Sequence, residues 1–130
     1  MKRAGKISKT VANADQIREF PCLVAIPGEE KKTKYVLVIS GKQNASISRF
    51  SIKENKWESD EAMIPSLNMD RSGASACMQG ENFVYVIGGC SITNGRQNSI
   101  ERLNLEYPRR GWVRTSFMSD DFTPRERPLF

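Results

Sequence analysis

From Phe20 onward the apolar residues fall into short runs divided by turn-forming residues. Pro21 to Ile26 is the first run, and Pro27-Gly28-Glu29-Glu30 after it reads as a turn. Tyr35-Val36-Leu37-Val38-Ile39 is unbroken, β-branched and aromatic, the pattern of a strand buried on both faces, and Ser40-Gly41 closes it. Ile47 to Ile52 alternates, with Phe50 and Ile52 facing one way and Arg49 and Ser51 the other. Glu54-Asn55 turns the chain and Trp57 opens a fourth, short strand. The same order then recurs. Ala74 to Met78 predicts a strand, Gln79-Gly80-Glu81-Asn82 a turn, and Phe83 to Ile87 a buried strand closed by Gly88-Gly89. Ile100 to Leu105 alternates, with Leu103 and Leu105 opposed to Arg102 and Asn104, and Gly111-Trp112 opens the last strand. Upstream, Val11, Ile17 and Phe20 are spaced for one face of a short helix.

Superimposing the two passes gives an internal repeat. Gly41 recurs as Gly89, 48 positions on. Ile47, Arg49, Phe50 and Ile52 recur as Ile100, Arg102, Leu103 and Leu105, all at an offset of 53. Trp57 recurs as Trp112 at 55, and the growth in offset places the added residues in loops. Each copy predicts a four-stranded antiparallel meander. One such sheet has two apolar faces and cannot cover both, so the copies must stack, and radial stacking of such sheets makes a β-propeller. The expected fold is all-β.

In the second copy Phe83 to Ile87 ends in Gly88-Gly89, Asn98-Ser99-Ile100-Glu101-Arg102 follows, and then Trp112; the first copy repeats the order through Gly41 and Trp57. This pattern resembles the kelch repeat, and the segment from Met63 to Arg71 into Ser72-Gly73-Ala74 looks like the join between two kelch blades. The resemblance covers residues from about 20 to 118 and implies a partial kelch-type β-propeller. Residues 1–19 form a basic flexible lead-in, two blades occupy about 20–60 and 72–118, and 119–130 resembles the approach to a further blade. Gly41, Trp57, Gly88, Gly89 and Trp112 carry the motif. The chain departs from the family at Ser40, where a glycine is usual, and at Phe50 and Leu103, where tyrosine is usual. Two blades leave apolar faces and strand edges uncovered, so the chain is expected to be a piece of a longer propeller or to associate with copies of itself.

Composition narrows the function. Of 130 residues, 38% are hydrophobic and 27% charged, within the globular range. The net charge is +5, and the excess is gathered in the lead-in, where Lys2, Arg3, Lys6, Lys9 and Arg18 face only Asp15 and Glu19. That supports at most weak nucleic-acid binding through the N-terminus. Cys22, Cys77 and Cys90 include no Cys-x-x-Cys pair, and an odd number suits separate thiols in a reducing compartment, the cytoplasm. No apolar run is long enough for a membrane helix.

Histidine is absent. A Ser-His-Asp triad, a Cys-His pair and zinc sites of the Cys2His2 or Cys3His type are therefore excluded, and neither a metal nor a cofactor is expected. Glu58-Asp60-Glu61 reads as a solvated loop, and Gly88-Gly89 lacks the Lys-Ser/Thr of a phosphate loop. The expectation is a non-enzymatic interaction scaffold. Successive turns of a meander alternate between its ends, so loops 42–46 and 90–99 share an end with the inter-blade segments 58–71 and 118–127. The kelch resemblance implies a peptide or protein partner there, with Lys42, Gln43, Asn44, Asn94, Arg96, Gln97 and Asn98 as candidate contacts. Substrate recognition for a ubiquitin ligase and a cytoskeletal contact are both consistent with that role. The alternative is a non-catalytic fragment of a kelch-like propeller enzyme acting on sugars. At the opposite end, Arg109, Arg110 and Arg114 form a small basic patch.

Overall fold

The computed structural model describes residues 18–58 and 64–115. Two antiparallel four-stranded sheets make up the fold. The first runs β1 (Cys22–Pro27), β2 (Thr33–Ile39), β3 (Ile47–Ser51) and β4 (Lys56–Glu58), paired in chain order. The second is built from β5 (Ser75–Gln79), β6 (Phe83–Ile87), β9 (Ile100–Asn104) and β10 (Val113–Thr115), again in chain order. Between β6 and β9 the loop folds into a small hairpin of β7 (Cys90–Ser91) and β8 (Gly95–Arg96). Both repeats are thus the same meander, as the sequence periodicity requires.

The registers show how the copies stack. Leu37 lies opposite Val24 and Arg49, and Ile39 opposite Cys22 and Ile47, so these residues share one face of the first sheet. Val84 lies between Met78 and Leu103, and Val86 opposite Ala76, on one face of the second. These two sets join in one core with Ile64, Leu67 and Trp112, and β1 lies against β5. Counted from the repeat, the two faces are not equivalent. The second sheet uses its tryptophan face, whereas the first uses the face opposite Trp57. The sheets therefore stack head to tail.

This explains one difference from the sequence expectation. Tyr35 to Ile39 was expected to be buried on both faces. Leu37 and Ile39 are fully buried, but Tyr35, Val36 and Val38 are only half-buried. Val36 and Val38 share a face with Phe50 and Trp57, and no described sheet covers it. Phe83, Tyr85 and Ile87 are likewise half-buried on the outer face of the second sheet. Ile52 lies beyond β3, in the turn, and is exposed.

The glycine pair ends β6 with positive φ at both residues, Gly88 at 72° and Gly89 at 86°. A Cβ on Gly89 would lie 3.0 Å from both the Ser72 carbonyl and the Ala74 side chain, so the second glycine is also demanded by close approach. The departure at Ser40 leaves this turn intact. Ser40 adopts the same left-handed backbone, φ 61°, and its hydroxyl offsets the strain. Oγ donates to Asn44 O at 2.8 Å and accepts from Arg71 N at 2.7 Å.

Candidate functional site

The loops on the predicted face are held by two corresponding arginines. Arg71 is fully buried. Its Nε donates to Glu101 Oε2 at 2.8 Å, one guanidinium nitrogen to Gly88 O and Ser99 O at 2.8 and 3.1 Å, and the other to Ser99 Oγ at 2.7 Å. Glu101 is fully buried too, and its second oxygen accepts from Asn68 N and Nδ2 at 2.7 and 2.9 Å. A buried ion pair with every acceptor satisfied is tolerable, whereas either partner alone would be costly. Arg18 repeats the device. It donates to Ser40 O, Ser46 O, Ser46 Oγ and Ser48 Oγ at 2.7–3.0 Å. Arg18, Ser46 and Ser48 correspond to Arg71, Ser99 and Glu101 at the offset of 53, and Ser40 to Gly88 at 48. In each copy an arginine placed before the first strand ties the end of the second strand to the start of the third. Arg18, expected in the flexible lead-in, is thus part of the folded unit. Residues 1–17 and 116–130 lie outside the described residues.

Between the sheets, residues 64–73 are fastened to both. Leu67 N donates to Ala45 O at 2.8 Å, Gly73 N to Phe20 O at 2.9 Å and Trp112 Nε1 to Pro65 O at 2.8 Å. Asp70 joins the two candidate loops. Its carboxylate accepts from Ser91 Oγ and Ile92 N, both at 2.9 Å, and from the backbone of Gln43. Burial acts to raise the Asp70 pKa, but the hydrogen bonds from Ile92, Ser91, its own backbone and Gln43 outweigh it and hold the carboxyl below its ordinary value.

Asp70 is the link between the 42–44 turn and the 90–96 hairpin, and the candidate side chains on them do not all face solvent. Lys42, Asn94, Arg96 and Asn98 are exposed, and Gln43 turns outward in a left-handed conformation, φ 57°. Asn44 faces inward: its Oδ1 accepts from Ser46 N at 2.9 Å and Ser46 Oγ at 2.7 Å. Gln97 Nε2 donates to Asn94 O and Gly95 O, which closes its own hairpin. Two apolar residues also stand at this end; Phe20, expected on the face of a short helix, lies instead in a bend with φ 55°, while Val11 and Ile17 fall outside the described residues. Phe20 is 69% and Ile92 56% exposed. Isoleucine at a hairpin tip was the available signal for Ile92. Phe20 reaches this end only because its carbonyl holds Gly73, a tertiary contact.

The remaining motif residues are structural. Trp112 is buried and hydrogen-bonded. Trp57 is half-buried and meets Phe50 edge-on, with ring centroids 5.1 Å apart, and its Nε1 is buried without a partner among the described residues. Glu58 is paired with Arg49 at 2.6 Å; Asp60 and Glu61 lie outside the described residues. Burial pushes the Cys22 thiol up to about 11, its own backbone hydrogen bond and Arg71 opposing the shift only in part. Among the described residues no group of three or more Cys, Asp or Glu is placed to hold a metal ion, and no helix is long and apolar enough to cross a membrane.

No family model and no curated protein matches the chain. What the fold and the site define is an all-β protein of two stacked four-stranded meanders with a polar-braced loop end.

Proposed function

We propose that this protein is a kelch-type propeller module that binds a protein partner through the loop end of its sheets, without catalysis. The observation that carries the reading is the bracing of the loops. Arg18, Arg71 and Asp70 fix the 42–44 turn and the 90–96 hairpin on a rigid base, and Phe20, Ile92, Lys42 and Arg96 stand exposed on it. Exposed apolar side chains and cations carried on preorganised loops suit a partner with an apolar patch and acidic rim. The absence of histidine from the sequence favours binding over acid–base chemistry. Three free thiols, one of them exposed, suit a reducing compartment such as the cytoplasm.

Stacking supports the propeller reading. The head-to-tail interface consumes one face of each sheet and leaves the other faces without a described neighbour, as successive blades of a ring would. We infer that further sheets, supplied by copies of the chain or by a longer chain, complete it.

The test of the loop end is a double variant, Ile92→Asp with Lys42→Glu. Both residues are exposed, so its thermal unfolding should match that of the wild type. Partners captured from lysate by the wild-type protein should be lost with the variant. Retention of every captured partner by the folded variant would sink the proposal.

A further inference from the structure

At the end of the sheets away from these loops, a cleft of about 690 Å³ opens between the first sheet and the β9–β10 turn. Its floor is apolar: Ile26 and Leu37 from the first sheet, Ile64 from the inter-sheet segment and Leu105 from the second copy. Ile26, Leu37 and Ile64 are buried in the core, so the floor is fixed. Two aromatic–arginine pairs form the walls. Arg49 lies over the Tyr35 ring at 4.1 Å and Arg110 over the Tyr107 ring at 4.3 Å. The charge of Arg49 is already matched by Glu58. Arg109 and Arg110 are exposed on a 3-10 turn (Pro108–Arg110), and among the described residues no carboxylate pairs with either.

We propose that this cleft binds a peptide segment in which a large apolar side chain is flanked by carboxylates. The apolar side chain packs on Leu105 between the Tyr35 and Tyr107 rings, above the buried Leu37, and the carboxylates reach the Arg109 and Arg110 guanidiniums, which can engage them in a bidentate manner. The volume is in the range of a binding pocket and holds one or two large side chains. The basic patch seen in the sequence is thereby assigned a narrower role than a polyanion footprint. A nucleic-acid backbone would gain nothing from the apolar floor of the cleft. An uncharged apolar peptide would leave the two arginines unanswered.

The probe is a fluorescein-labelled hexapeptide, Asp-Glu-Leu-Phe-Asp-Glu, followed by fluorescence anisotropy with the full chain. Saturable binding is expected that weakens as salt rises, because the exposed charges are screened. Arg109→Glu with Arg110→Glu should weaken it by about tenfold or more, since two attractive contacts become repulsive. Both positions are exposed, so circular dichroism melts of the variant should match the wild type. Hexaglutamate and Asn-Gln-Leu-Phe-Asn-Gln, labelled alike, should each bind more weakly than the probe. The proposal is overturned by absence of saturable binding, by equal binding of either control peptide, or by binding that survives the arginine reversal. It is also overturned if Lys42→Glu with Arg96→Glu abolishes binding, which would place the peptide on the loop end instead.

Discussion

Arg71 shows how much one residue decides. Its guanidinium joins the inter-sheet segment to β6 and β9 from a site with no exposure, opposite a carboxylate equally buried. Arg71→Ala should cost about 3–5 kcal/mol in urea unfolding, because Glu101 would be left as an uncompensated buried charge. Adding Glu101→Ala should recover part of that loss, and a double variant no more stable than the single one would contradict this account. Arg18→Ala removes comparable hydrogen bonds from a half-exposed site where water can replace them, and should cost less, about 1–3 kcal/mol. Cys22 supplies the pH-dependent counterpart. Its thiol ionises near 9.0 when unfolded and near 11 in the fold, so the neutral form favours folding. That contribution is complete below pH 9 and is lost as the pH rises towards 11. The stability difference between wild type and Cys22→Ala should therefore shrink across this window, and thiol labelling at pH 8 should reach exposed Cys77 well before Cys22.

At the scale of elements, the repeat places two tryptophans in corresponding positions and the structure uses them differently. Trp112 Nε1 donates to Pro65 O, whereas Trp57 Nε1 has no partner among the described residues. Trp112→Phe should cost about 1–3 kcal/mol through the stranded Pro65 carbonyl, and Trp57→Phe less, because it discards an unsatisfied donor. Equal losses in parallel thermal melts would remove the distinction. The same comparison explains the turn at Ser40. A serine stands where the repeat calls for glycine, and its hydroxyl binds Arg71 N, so a local departure is compensated by a contact 31 residues away.

For the molecule as a whole, head-to-tail stacking leaves two unlike faces. One carries Leu23, 60% exposed, with Val36, Val38, Phe50 and Trp57; the other carries Phe83, Tyr85 and Ile87. If copies complete the stack as proposed, they meet heterologously, one kind of face on the other. The mass of the chain by light scattering should then rise with concentration. Leu23→Glu and Tyr85→Glu should each block growth on one face, and mixing the two variants should restore a one-to-one complex through the faces left intact. A wild-type chain that stays monomeric at every concentration, or variants that ignore each other, would exclude self-assembly by this route.

Short apolar runs bounded by turn residues, and the recurrence of their order along the chain, determined the strands of the two four-stranded sheets, their order and their likeness, though not the β7–β8 hairpin, because strand pairing within a meander is local. The positions of loops 42–46 and 90–99 at one end followed from meander geometry alone. Which sheet face is buried, that Arg18 and Arg71 are the braces, that Asn44 turns inward and that Ile92 stands out were settled only in three dimensions. Except for the local Asn44–Ser46 bond, those outcomes depend on groups brought together from 17 to 33 residues apart, and although the arginines themselves recur at the offset of 53, nothing in strand periodicity assigns them their partners.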